Sequence, residues 1–131
     1  MTGLDTNVLV RYITQDDAAQ SAKAARVINA LTPDAPGFIS LTAMTELAWV
    51  LESGYGMTRR DIAHALRRLN DSLEIRVEGA AAVRKAITLY ESRVLDIADC
   101  LIASSGAAAG CEHTLTFDRK AARIEGMRLI A

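Results

Sequence analysis

The sequence predicts an α/β protein: one domain over residues 1–131, with a parallel β-sheet flanked by helices on both faces. Three observations predict it. Short apolar runs alternate with amphipathic helical periods along the whole chain, and turn residues separate them. Acids stand where strands give way to helices, the edge at which ligand chemistry collects in such folds. Half of the 131 residues are hydrophobic, enough for a single core.

The first strand ends near Leu4, and a short helix runs from Asn7 to about Thr14. Asp17 caps a second helix, with Gln20 three residues on as in a capping box. Ala24, Val27, Ile28 and Leu31 share its inner face by i, i+3, i+4, i+7 spacing. The turn run Thr32-Pro33-Asp34-Ala35-Pro36-Gly37 stops it, and Phe38-Ile39 reads as a short buried strand. Ser40 or Thr42 caps a helix from Leu41 to Glu52, which Ser53-Gly54 ends. Thr58 and Asp61 open the next helix, whose inner face carries Ile62, Ala65, Leu66 and Leu69. Leu73 to Val77 alternates apolar and polar and reads as a strand. Ala80 to about Arg93 is helical, with Val83, Ala86, Ile87 and Tyr90 inward. Asp96 caps a helix with Ala98, Leu101 and Ile102 inward, running out between Gly106 and Gly110. His113 to Thr116 is expected as a buried strand, Asp118 to about Ile124 as a short helix, and Met127 to Ile130 as a closing strand.

No apolar run approaches the ~18 residues that span a bilayer, and the N-terminus lacks a secretory signal, so a cytoplasmic location is expected. Cys100 and Cys111 have no metal-type spacing and read as reduced thiols. The formal charge of −1 lacks the excess base of a nucleic-acid binder. Setting aside four acids as a cation site turns −1 into +3, so net charge does not decide the question.

Those acids are Asp5, Glu46, Asp99 and Asp118, and each has an ordinary reading. Asp5 and Asp118 suit helix caps, but both follow strands and so reach the same sheet edge. Adjacent strands lie ~5 Å apart, close enough for two such acids to share one cation. Glu46 has Ala43, Trp49 and Val50 among its helical neighbours, so it is expected to face protein, where a lone carboxylate is costly. Asp99 stands three residues after the cap Asp96, where the helix dipole favours an acid. Taken together they suggest an all-oxygen site for a hard cation such as Mg²⁺ or Mn²⁺.

The runs Leu4-Asp5-Thr6-Asn7, Thr45-Glu46-Leu47, Asp96-Ile97-Ala98-Asp99-Cys100-Leu101-Ile102-Ala103 and Thr116-Phe117-Asp118 strongly resemble the PIN domain. More narrowly, they are similar to the VapC toxins of type II toxin–antitoxin pairs. The resemblance runs from Gly3 to Ile130, and its most specific parts are Asp96 to Ala103 and Thr116 to Ala122. It implies Mg²⁺- or Mn²⁺-dependent cleavage of RNA by Asp5, Glu46, Asp99 and Asp118. It also implies that Thr116 supports the site, that Thr6 and Asn7 brace Asp5, and that the partners are a small antitoxin and a second copy of the chain. Val94-Leu95 stand before Asp96 where relatives often carry glycine, which bears on loop shape and RNA choice.

The chemistry suits the residues. A divalent cation polarises the phosphoryl oxygen, acidifies water and stabilises the leaving oxygen, with no need of a His or Cys nucleophile. His64 reads as a partly exposed helix residue and His113 as preceding a strand. Hydrolysis by this route leaves a 5′-phosphate and a 3′-hydroxyl. Arg11, Arg119, Lys120 and Arg123 are the candidate RNA contacts, with solvated surface charge as their ordinary reading. Tyr12 and Phe117 are the only aromatics expected near the site, so base stacking is not expected to dominate specificity. An apolar groove between the helices of Trp49 and Leu66 is the candidate partner site, with core filling as the alternative. Two rival functions remain open: a catalytically silent scaffold of the same fold, and a phosphoaspartate receiver or phosphatase using Asp5. The second is weakened because Asn7, not an acid, follows Asp5 by two, and Lys120 does not follow a strand as required.

Overall fold

The computed structural model describes residues 1–92 and 95–131. The expected helix end at Arg93 and the loop residue Val94 lie outside them. The chain divides into two compact units, Met1–Glu78 and Gly79–Ala131.

The first unit is built as strand–helix alternation. Strand β1 (Thr2–Gly3) leads into α1 (Thr6–Thr14) and α2 (Ala18–Asn29). Strand β2 (Gly37–Ile39) leads into α3 (Leu41–Ser53) and α4 (Arg59–Asp71), and β3 (Ile75–Val77) follows. The three strands pair in parallel in the order β1-β2-β3. The register joins Gly3 to Phe38, and Ile39 to Val77. Parallel neighbours need long crossovers, and the helix pairs supply them. The caps are those expected: Asp17 accepts from the Gln20 amide, Ser40 from Ala43 and Thr58 from Asp61. A Cβ on Gly37 would stand 2.8 Å from Leu31 Cδ1 and 3.0 Å from Leu4 Cδ1, so glycine lets the flanking leucines close over β2. Leu9, Ile39, Leu47, Leu51 and Ile62 are wholly buried. Around them α1 packs on α2 and α3, and α4 on α3 and β3.

Two details differ from expectation here. Strand β3 begins at Ile75, and Leu73 is 79% exposed, because Ser72 caps the end of α4 and turns the chain outward. In α2 the buried stripe is Ser21, Ala24 and Ile28, narrower than the apolar pattern, and Val27 faces solvent.

The second unit begins with α5 (Ala80–Ser92), whose Val83, Ala86, Ile87 and Tyr90 are all buried as the spacing predicts. It packs on α6 (Ile97–Ala108). Strands β4 (Thr114–Thr116) and β5 (Met127–Leu129) pair in parallel across a 3₁₀ turn at Ala121–Arg123. That turn replaces the expected helix from Asp118 to Ile124. Only ten residues, 117–126, join the two parallel strands, and the helical part of that connection is three residues long. Helix α6 approaches β4 so closely that a Cβ on Gly106 would stand 2.5 Å from Thr114 Oγ1. The expected buried strand is instead two-sided: Thr114 and Thr116 are half-buried while Leu115 is 56% exposed. Ile102, expected inward on α6, is also exposed, because Leu101, Ala103 and Ser104 fill the buried side. Cys100 is buried, Cys111 is exposed and both are free. No helix among the described residues is long and apolar enough to cross a membrane.

Candidate active-site carboxylates

In the first unit, Asp5 leaves β1 at the carboxyl edge of the sheet. The Leu4 amide donates to Phe38 O (2.8 Å), carrying the pairing one residue past the strand. Asp5 then caps α1 from extended backbone, its Oδ1 accepting from the Thr6 amide at 2.8 Å. The carboxylate is exposed, and its second oxygen is open to a ligand. Thr6 thus braces Asp5 through its main chain while its own side chain is buried. Asn7 is exposed and makes no hydrogen bond to Asp5 among the described residues, against expectation.

Glu46 lies on α3, which packs against α1. It is exposed, contrary to the inward orientation expected from its apolar neighbours. The physical reason is Trp49, which is itself 67% exposed and shares the solvent side of α3, while Ala43, Met44, Leu47, Ala48 and Leu51 fill the buried side. The proposed groove between Trp49 and Leu66 fails on the same ground, since Leu66 is a core residue at 2% exposure.

One acid at this edge escaped the sequence reading. Glu78 follows β3 as Asp5 follows β1; its amide donates to Ile39 O (2.9 Å) and its Oε1 accepts from the Leu41 amide (2.8 Å). It therefore holds the start of the helix that carries Glu46. The available signal was an acid directly after an alternating apolar–polar strand.

In the second unit, Asp96 caps α6, its Oδ1 accepting from the Ala98 amide at 2.8 Å. Asp99 stands in the first turn of that helix, partly buried. Its carboxyl is held above the ordinary carboxylate value, first by burial and then by the charges of Asp96 and Asp118. Asp118 is held on both sides: its amide donates to Thr116 Oγ1 (3.0 Å), and its Oδ1 accepts from the amides of Lys120 (2.8 Å) and Ala121 (3.2 Å). Thr116 therefore supports Asp118 directly. The unit brings Asp96, Asp99 and Asp118 into electrostatic contact. Within neither unit, among the described residues, do three or more His, Cys, Asp or Glu side chains gather closely enough to hold a metal by themselves.

The turn-closing bonds and the charge of Asp118 separate by substitution. Asp118→Ala is expected to lower stability by about 1 kcal/mol, as lost helix caps do. Asp118→Asn keeps the acceptor oxygen and is expected to lose much less; urea denaturation of the two variants measures the difference.

Of the candidate RNA contacts, Arg119, Lys120 and Arg123 are exposed beside Asp118. Arg11 is committed elsewhere. Its guanidinium donates to Asp16 (3.1 Å), Gln20 Oε1 (2.7 Å) and Tyr55 Oη (3.2 Å), while Tyr55 Oη donates to Asp16 at 2.6 Å. Hydrogen bonds from Tyr55 and Thr14, and the charge of Arg11, hold the Asp16 carboxyl below its ordinary value. His64 is exposed on α4, and His113 is half-buried just before β4.

The PIN domain pattern matches residues 4–127. The chain belongs to the PIN domain family. The match contains all four acids and spans both units. A relative from Aquifex aeolicus (strain VF5), named VapC ribonuclease, is 33% identical over 84 residues. That alignment covers 63% of this chain and 62% of the relative, so less than two thirds of the relative's length is represented. Family membership agrees with the α/β fold and its parallel strands.

Proposed function

We propose that this PIN domain protein is a metal-dependent endoribonuclease, the toxin of a VapC-type toxin–antitoxin pair. By the family pattern, Asp5, Glu46, Asp99 and Asp118 are its candidate ligands for Mg²⁺ or Mn²⁺, in a single domain over residues 1–131. The observation that carries the reading is the PIN domain match over residues 4–127, and the crowding of Asp99 supports the cation. In a PIN domain chain, a carboxylate disfavoured by burial and by two further carboxylates gains from a cation. The donor set is all oxygen, which fits a hard divalent ion. The ribonuclease name of the relative supports the choice of RNA.

When bound, such a cation supplies the positive charge that acidifies a water and stabilises phosphoryl and leaving oxygens. The chain's own residues set the stage. The Thr6 amide fixes one oxygen of Asp5, leaving the other free to bind. The Lys120 and Ala121 amides do the same for Asp118, and the Thr116 hydroxyl holds its main chain. The first turn of α6 presents Asp99 in a fixed direction, and its partial burial limits water around it. Arg119, Lys120 and Arg123 stand on the surface beside Asp118, where they meet substrate phosphates. A small antitoxin, a homodimer and a cytoplasmic location complete the proposal.

The test is cleavage of a defined RNA with and without EDTA. Activity is expected to vanish on chelation and return with excess Mn²⁺, and the products to carry 5′-phosphate and 3′-hydroxyl ends. Cutting that survives EDTA, or a 2′,3′-cyclic phosphate, overturns the reading.

A further inference from the structure

One face of the β4–β5 pair is left open. Leu115 is 56% exposed at the centre of β4, Phe117 is 79% exposed just past its end, and Ile130 is 39% exposed just past β5. The register sets Leu115 opposite Arg128. The Ile130 amide donates to Thr116 O (2.8 Å), so the ladder continues one residue past β5. Side chains alternate along a strand, which places Leu115, Arg128 and Ile130 on one face, and Phe117 follows Leu115 by two residues, just past the strand. Phe117 is followed at once by Asp118, Arg119 and Lys120. Arg119, Lys120 and Arg128 are exposed and, among the described residues, have no carboxylate within ion-pair distance.

An exposed aromatic ring on an aliphatic floor, bordered by unpaired cations, matches a ligand that offers flat apolar faces and negative charge together. We propose that this face is a platform on which unpaired bases of an RNA strand stack. Phe117 is the principal ring, Leu115 and Ile130 form the floor, and Arg128, Arg119 and Lys120 meet the phosphates. The proposal rests on the reading that the chain acts on RNA, and adds that the strand is single where it is gripped. A paired base offers no free face to Phe117, whereas unpaired bases stack on aromatic side chains. An apolar protein partner would strip water from the three cations without compensating them. The patch is also small: three side chains, none of them fully exposed, offer far less than the roughly 800 Å² per partner of a stable protein interface.

Binding of a fluorescently labelled single-stranded RNA is measured by anisotropy, in an Asp5→Asn background that removes cleavage, and the same strand is measured as a duplex. Adding Phe117→Ala is expected to weaken single-strand binding about tenfold, in line with one lost base–aromatic stack, and to change duplex binding less than about twofold. Phe117→Trp restores the affinity, and Arg128→Ala flattens its salt dependence. Unchanged single-strand binding by Phe117→Ala, an equal loss on duplex RNA, or a changed oligomeric state in light scattering overturns the platform. If the unaltered chain cuts RNA while Phe117→Ala binds as tightly as its parent, the platform alone is wrong. If the unaltered chain neither binds nor cuts RNA, the ribonuclease reading falls and the platform with it.

Discussion

Asp99→Asn is expected to melt at a higher temperature than the wild-type chain near pH 7 while cutting RNA at least roughly 100-fold more slowly. The rate loss follows from losing a share of several kcal/mol of charge stabilisation, each ~1.4 kcal/mol being tenfold. The gain in stability follows from the raised carboxyl of Asp99, disfavoured by burial and by Asp96 and Asp118. The folded chain holds that proton more tightly than the unfolded one. The contribution to stability is therefore complete below the unfolded value of about 3.9 and is lost as pH rises through the folded value. The amide of Asn carries no charge and escapes that loss. Melting curves from pH 3 to pH 8 are expected to show the variant's advantage at neutral pH closing towards pH 4. Excess Mn²⁺ is expected to raise the melting temperature of the wild-type chain more than that of the variant. A variant that melts lower than wild type at pH 7, or an advantage independent of pH, counts against charge crowding at Asp99.

Leu47→Ala is expected to remove about 2–5 kcal/mol of stability, a large part of the ~5–15 kcal/mol typical of a domain. Leu47 is wholly buried on α3 beside Met44, Ala48 and Leu51. Trp49→Ala, two residues on, is expected to change stability by no more than about 0.5 kcal/mol, because that ring is 67% exposed. Urea denaturation of both variants reads the rotation of α3 about its own axis. The rotation matters because it also decides that Glu46 faces solvent. A larger loss at Trp49 than at Leu47 would mean that α3 turns its other side inward and takes Glu46 with it.

Much of the local structure was legible because it is written in short-range chemistry. Asp17, Ser40, Thr58 and Asp96 each satisfy amides that a helix start leaves unpaired, and their side chains can do so only from the cap position. The buried stripe of α5 is the i, i+3, i+4, i+7 pattern itself. The acids Asp5 and Asp118 were found at strand ends for the same reason: a strand-to-helix turn needs a capping oxygen.

What stayed hidden depends on neighbours distant in sequence. Apolar character does not say which side of a helix or strand is covered. Ile102 and Leu115 read as inward-facing in the chain and Trp49 as lining a groove or filling the core, yet all three are exposed. Glu46 was misplaced by that same ambiguity. Glu78 is an unremarked acid until β2 and β3 pair in register and bring it to the Leu41 amide. The third partner of the Arg11–Asp16 pair, Tyr55, comes from beyond α3. Sequence by itself determined the α/β class, the helix caps and three acids at helix starts, since each follows from residues within a few positions of one another. Only the tertiary structure decided which faces meet water, which cations are already paired and which carboxylate is under pressure, because burial and charge act through space.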